Sequence, residues 1–315
     1  MKAVHFAEYG DTSVLQLVDY PLPRPGAGDV LIQVAAAGVN YADIWQRKGA
    51  SPHPLPLPYV PGYEVAGTIA ALGDGVTTAA VGQRVMAMLP SGGYAAYVVA
   101  PAAQVIPLPA ELGYAQATAL LAQGPTAVGL LNTGPYASVL VLAAAGGVGS
   151  LLVQVAKNRG QQVVAAVGSE AKKAAAQASG ADVVVSYAAA DWVQQVRAAT
   201  AGQGVAAVFD AVGGHVGEQA LQALGAGGTS VVYGAASGEP TRLDAQQLIG
   251  QRQAVRGYTV FAELARFGEY TDELLGYFRA GQLHLPVQTY PMTAVQTAQR
   301  DLEARRTQGK VVLLF

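Results

Sequence analysis

Of the 315 residues, 51 % are hydrophobic and only 13 % charged, which excludes a disordered chain and allows one or two domains with sizeable buried cores. A formal net charge of −2 provides no broad positive field, so nucleic acid is excluded as the main partner. With no cysteine the chain can build no disulfide, thiolate metal site or cysteine nucleophile; Met1–Tyr9 also lacks the charged-then-apolar order of a signal peptide, and a cytoplasmic protein is expected.

Up to about Pro109 short β-branched runs lie between glycine and proline punctuation, at Val30–Val34, Glu64–Ala71, Gln83–Met88 and Tyr94–Val99, and predict a barrel-like β domain. Ser51–Pro61 carries five prolines and is expected as a stiff surface loop, neither helix nor central strand. From about Thr118 strands and helices alternate. Strands are predicted at Val139–Ala143, Val163–Val167, Asp182–Ser186, Ala206–Phe209, Thr229–Tyr233 and Ala254–Tyr258, which together make a doubly wound parallel sheet of the α/β class. Helices are predicted at Ser150–Arg159, Glu170–Ser179 and Val216–Leu224, with Gly160, Gly180 and Gly225 as their stops. The apolar stretch Ser138–Ala156 is interrupted by three glycines and reads as strand into helix, not as a membrane span. A helix around Thr271–Ala280 and a closing run Lys310–Phe315 are expected to pack back on the first domain. This gives domains at 1–117 with 260–315, and at 118–259.

Strand, Ala-Ala-Gly-Gly-Val-Gly, helix is the order read from Val139 to Asn158, the context that a dinucleotide fingerprint requires. Gly146 lets a pyrophosphate approach bare backbone and Gly149 lets the helix pack on the strand. The helix N-terminus, with Gly147 and Val148, offers amide donors and a partial positive charge. Ala144 stands where the fingerprint has its first glycine. At the end of the second strand an NAD site carries an acid for the ribose hydroxyls. Here Val167, Gly168 and Ser169 occupy that end, with Lys172 and Lys173 one turn into the next helix and Tyr187 closing the following strand. A cation and a hydroxyl suit a 2′-phosphate, so the expected cofactor is NADPH.

Six segments carry a resemblance that spans nearly the whole chain: Ala37–Asp43, Leu57–Gly67, Gln123–Ala127, the glycine turn, Phe209–Gly214 and Gly309–Leu313. Their order resembles the medium-chain dehydrogenase/reductase superfamily and, within it, the zinc-free quinone oxidoreductase and zeta-crystallin branch. The resemblance implies a Rossmann sheet with a GroES-like β-barrel catalytic domain. At the positions where zinc-dependent members place Cys, His and Cys, this chain has Asn40, Tyr63 beside Glu64, and Gln123, so no metal is expected. His5, His53, His215 and His284 are scattered without a ligand spacing.

Without a metal to acidify an alcohol, the expected acceptors are those that take hydride readily: quinones or activated enones. Asn40, Tyr41, Asp43, Trp45 and Tyr63 are the candidates near the reacting atoms. Tyr41 or Tyr63 could donate a proton or form pocket wall, and Asp43 could tune a proton path or hold its loop through backbone amides. By resemblance, cofactor contacts are also implied for Asn40, Thr126, Ala145, Val212 and Gly213, Tyr233 and Gly234, Tyr258 and Thr259, and Lys310. A homodimer through the last strand of the nucleotide domain is implied as well. A short-chain dehydrogenase is excluded because no tyrosine has a lysine four residues on. An enone, alkenal or enoyl-thioester reductase on the same scaffold and a non-catalytic NADPH-binding structural protein are the remaining alternatives.

Overall fold

A computed structural model describes residues 1–51 and 53–315; Pro52, one of the five prolines of the expected loop, lies outside the described residues. Two compact units emerge from the contacts, Met1–Ala122 with Pro286–Phe315, and Gln123–Leu285.

The first unit opens with a hairpin of β1 (Lys2–His5) and β2 (Gln16–Asp19). Its long central strand, β3 (Asp29–Val39), runs on into a short helix, α1 (Tyr41–Arg47), that sequence periodicity did not single out. Antiparallel strands β4 (Glu64–Leu72), β5 (Arg84–Met88), β6 (Tyr97–Pro101) and the short β7 (Val105–Pro107) follow, close to the expected runs. The described residues of the proline-rich stretch before β4 form no helix and only an isolated bridge from Tyr59 to Phe6. Register shifts between Leu31 and Ile32 and between Val34 and Ala36 bend β3 against β4. Helix α2 (Tyr114–Ala119) ends the first passage.

In the second unit α3 (Gln123–Leu131) precedes the alternation β8 (Ser138–Leu142), α4 (Gly147–Asn158), β9 (Gln162–Val167), α5 (Lys173–Ala178), β10 (Val183–Ser186), α6 (Trp192–Ala199), β11 (Val205–Asp210), α7 (Gly214–Leu221) and β12 (Leu224–Val232). Helix α8 (Ala245–Gln251) and edge strand β13 (Ala254–Gly257) complete the sheet. All six strands are parallel, in the order β10-β9-β8-β11-β12-β13, so the winding reverses between β8 and β11. Valine and leucine fill β8, and valine and alanine β9, because both faces of these strands are covered, and Val139, Leu140, Val141, Val163, Val164 and Ala165 are all 0 % exposed.

Gly160 (φ 77°) and Gly180 (φ 89°) occupy the left-handed positions expected after α4 and α5. Gly225 does not: α7 ends at Leu221 and Gly225 is already the second residue of β12, where it packs against the backbone of Gln203 and Gly204. The stretch 260–285 also differs from expectation, since it belongs with the second unit. There α9 (Phe267–Arg279) packs on α3, and Arg159 Nη2 holds Glu273 at 2.9 Å.

Only from Pro286 does the chain rejoin the first unit, through β14 (Val287–Pro291), α10 (Val295–Glu303) and β15 (Lys310–Leu314). β15 pairs antiparallel with β3, Val311 opposite Val39, and closes the order β14-β15-β3-β4-β5-β7.

Candidate functional site

Two groups of residues have the marks of a functional site, one in each unit. In the second unit the chain leaves β8 through Ala143, which takes a left-handed φ of 50°, and enters α4 at Gly146. No side chain caps this helix, so the amides of its first turn have no partner from a cap. A Cβ on Gly149 would overlap Ala143 O and come within 2.8 Å of Ala144 Cα, so the helix can approach the strand only as glycine. A Cβ on Gly147 would overlap the carboxamide of Gln123, whose Oε1 is buried without a partner. Ala145 is 3 % exposed and can offer little more than backbone. The result is a smooth, uncapped helix terminus at the point where the winding of the sheet reverses, which is where an α/β sheet accepts a dinucleotide. These features fit a pyrophosphate.

At the end of β9, a Cβ on Gly168 would lie 3.0 Å from the Tyr187 hydroxyl, so the two are adjacent as the phosphate reading requires. Tyr187 stacks edge-on against Trp192, with ring centroids 6.4 Å apart, which fixes its ring. Ser169 leads into a one-turn helix, Glu170–Lys172, and Lys173 is paired with Glu170 at 3.0 Å. On the other half of the sheet, the amides of Val212 and Gly213 donate to Asp210 Oδ1 and are therefore committed within the protein. Tyr233 and Gly234 follow β12, and burial, then the charge of Asp210, raises the Tyr233 hydroxyl above its ordinary pKa. Tyr258 faces Glu263, with its hydroxyl 3.5 Å from Oε2, beside Thr259. Thr126 lies on α3.

In the first unit, Asn40 and Asp43 bracket the start of α1. The Asn40 backbone N–H donates to Asp43 Oδ2 at 2.8 Å, and the Tyr94 hydroxyl donates to the same oxygen at 2.8 Å. Asp43 is 0 % exposed and its Oδ1 has no partner. Loss of water pushes its pKa up to about 6 against the opposing effect of those hydrogen bonds. The Asn40 carboxamide is fixed at both ends: Nδ2 donates to Glu64 Oε2 at 2.6 Å, and Oδ1 accepts from Lys310 Nζ at 2.9 Å. Lys310 also forms an ion pair with Glu64, both side chains at 0 % exposure, and Glu64 Oε1 accepts the Ala122 N–H at 2.6 Å. Gly38 makes room for the pair, since a Cβ there would overlap Glu64 Oε2 and approach Lys310 Cε to 2.7 Å.

Tyr63 adjoins this cluster; burial, then the charges of Asp43 and Glu64, hold its hydroxyl well above the usual phenol pKa. Tyr41 and Trp45 lie on the same helix as Asp43, in edge contact with centroids 5.9 Å apart, and Trp45 is 37 % exposed. The structure thus gathers Asn40, Asp43, Tyr63 and Lys310, while Tyr41 and Trp45 form a separate aromatic pair. Lys310, implied by resemblance as a cofactor contact, has its ammonium spent on Glu64 and Asn40. Glu64 and Tyr94 were missed as members of the cluster; the signal for Glu64 was a lysine heading an otherwise apolar strand, which demands a buried counter-charge.

The alcohol dehydrogenase GroES-like domain family matches residues 26–110 and the zinc-binding dehydrogenase family matches residues 147–275. A probable quinone oxidoreductase of Schizosaccharomyces pombe is 36 % identical over 99 % of this chain and 96 % of its own. The chain belongs to the medium-chain dehydrogenase/reductase superfamily, in its quinone oxidoreductase branch. Quinone oxidoreductase of Escherichia coli in complex with NADPH superimposes on it with a TM-score of 0.92 at 30 % identity, covering all of both chains. A 2-haloacrylate reductase of Burkholderia is 32 % identical over 92 % of each chain.

The superfamily's zinc has no suitable donor set in this quinone oxidoreductase relative. An amide and a phenol stand at Asn40 and Tyr63, and the adjacent Glu64 already carries the ammonium of Lys310. Among the described residues no group of three or more His, Cys, Asp or Glu could hold a metal ion, and no helix is long and apolar enough to cross a membrane.

Proposed function

We infer that the chain is an NADPH-dependent quinone reductase. The observation that carries this reading is the uncapped turn Gly146–Gly149 at the reversal of the sheet, with Gly168, Lys172 and Tyr187 at the end of the second strand where an NAD site carries an acid. When bound, NADPH supplies the hydride that reduces the acceptor. The chain's own part is to hold the pyrophosphate on the first-turn amides of α4 and the 2′-phosphate on Lys172 and Tyr187. The Asn40 carboxamide, its orientation fixed by Glu64 and Lys310, presents one defined arrangement of donor and acceptor instead of a rotating amide. With its pKa raised by burial, Tyr63 keeps its proton at neutral pH, so it acts as a hydrogen-bond donor to a developing oxyanion and not as a base.

Reduction of an activated enone is a second reading, favoured by the similarity to the 2-haloacrylate reductase. Assays of NADPH consumption with a series of quinones and enones separate the two: turnover of enones alone replaces the first reading by the second, and turnover of neither removes both. The cofactor assignment is tested separately. Lys172→Ala raises the Kd for NADPH about tenfold, the effect of losing one charged hydrogen bond, and leaves NADH binding unchanged; equal loss for both cofactors overturns the phosphate assignment.

The proposed setting is the cytoplasm, in keeping with a chain that has no cysteine. The proposed assembly is a homodimer in which the edge strand β13 continues the sheet across a two-fold axis. It is flanked by Phe261 and Leu264, each 55 % exposed. A monomeric mass in light scattering overturns that assembly.

A further inference from the structure

Asp210 ends β11 with a side chain that is 0 % exposed, and it accepts three hydrogen bonds. Oδ1 takes the N–H groups of Val212 at 2.8 Å and Gly213 at 2.9 Å. Such a bond to the residue two positions on is ordinary local turn chemistry. Oδ2 does something that local chemistry does not explain: it accepts the hydroxyl of Thr241, 31 residues further along the chain, at 2.6 Å. A buried carboxylate requires donors, and this one draws them from two different loops, the one after β11 and the one after β12.

Backbone bonds join the same two loops. Ala236 N donates to Ala211 O at 2.9 Å and Ser237 N to Val212 O at 2.8 Å. No side chain can intervene: a Cβ on Gly217 would overlap both Thr241 Oγ1 and Asp210 Oδ2, and a Cβ on Gly213 would overlap Glu239 O. Both loops leave the carboxyl ends of strands on the far side of the sheet reversal from β9 and β10. A dinucleotide spans that reversal, one mononucleotide on each half. Gly168, Lys172 and Tyr187, at the ends of β9 and β10, lie on the half that takes the adenosine 2′-phosphate. The loops tied by Asp210 lie on the half that takes the nicotinamide mononucleotide.

We propose that Asp210 and Thr241 form a latch that fixes the loop 211–214 to the loop 233–241 and so shapes the nicotinamide half of the crevice. Both are positioning residues: the Val212 and Gly213 amides that face Asp210 are not available to the cofactor, and the latch acts through the shape of the loops. The proposal rests on the NADPH reading above and adds to it a division of labour between the two halves of the sheet.

The test uses the intact protein and two ligands followed by fluorescence or calorimetry: NADPH, which occupies both halves, and adenosine 2′,5′-bisphosphate, which occupies only the first. Thr241→Val removes the hydroxyl without changing the shape of the side chain. The expected result is a Kd for NADPH raised about tenfold with the bisphosphate unchanged, and recovery of the NADPH affinity in Thr241→Ser. Thr241→Ala gives the same split should the valine not be tolerated. Equal weakening of both ligands, or no change in either, overturns the latch while leaving the cofactor reading standing. Failure of the wild-type protein to bind NADPH overturns the cofactor reading and the latch with it.

Discussion

The two polar regions of the molecule are built on opposite plans. The cluster in the first unit consists of side chains with no exposure, Asp43, Glu64 and Lys310, drawn from α1, β4 and β15, with Glu64 and Lys310 compensating each other's charge. The turn in the second unit consists of backbone, Ala143 to Gly149, with no side-chain cap, so that a ligand can supply what the helix end lacks. A site made of buried charges is rigid because removing any one leaves another uncompensated. A site made of backbone is open because its orphan amides are a demand that the protein does not meet by itself. Stability is concentrated in the first and affinity in the second.

That contrast is most directly broken at Lys310. Lys310→Met leaves Glu64 as a buried, unpaired carboxylate and is expected to cost about 3–5 kcal/mol of unfolding free energy in urea. Adding Glu64→Gln to the same chain recovers most of the loss, because the uncompensated charge is gone. A double variant no more stable than the single one would show that packing, not charge, sets the cost.

A smaller effect is expected at Asp43, and its sign is distinctive. The carboxyl binds its proton more tightly in the folded chain, at a pKa of about 6 against about 3.9 unfolded. Its contribution is therefore complete below about pH 4 and is lost as the pH rises through about 6, a fall of about 3 kcal/mol. Most carboxylates in ion pairs act in the opposite sense. The difference in stability between wild type and Asp43→Asn, measured across that window, isolates the contribution; a difference that does not vary with pH contradicts it.

The turn is expected to give the smallest change in stability and the larger one in binding. Gly149→Ala places a methyl against the backbone of Ala143 and Ala144, which cannot swing aside, and costs about 1–3 kcal/mol. The displaced helix end also weakens NADPH, read by fluorescence titration; retained affinity would mean that the first-turn amides are not the phosphate donors.

Much of this second region was legible from residue order. Gly146, Gly147 and Gly149 follow a buried strand and precede a helix, and that local order suffices to predict a helix end open to a ligand. The missing acid after Val167 was equally plain. Gly225 misled because a glycine after a helical pattern also suits a strand that lies against backbone, and only the neighbouring Gly204 decides between the two. Helix α1 was overlooked because its seven residues are too few to show a period, and its start is set by Asn40 and Asp43 bonding to each other's backbone.

The sequence by itself determined the strand and helix rhythm, the bare turn and the absence of thiolate and imidazole at the positions of the metal, since these depend on residue type and short-range spacing. The tertiary structure alone decided that Lys310 meets Glu64 across 246 positions, that Asp210 reaches Thr241, and that Asp43 loses all contact with water. Those pairings follow from which strands become neighbours, above all from β15 returning to lie beside β3, and no period within a single segment records the partner of a buried charge.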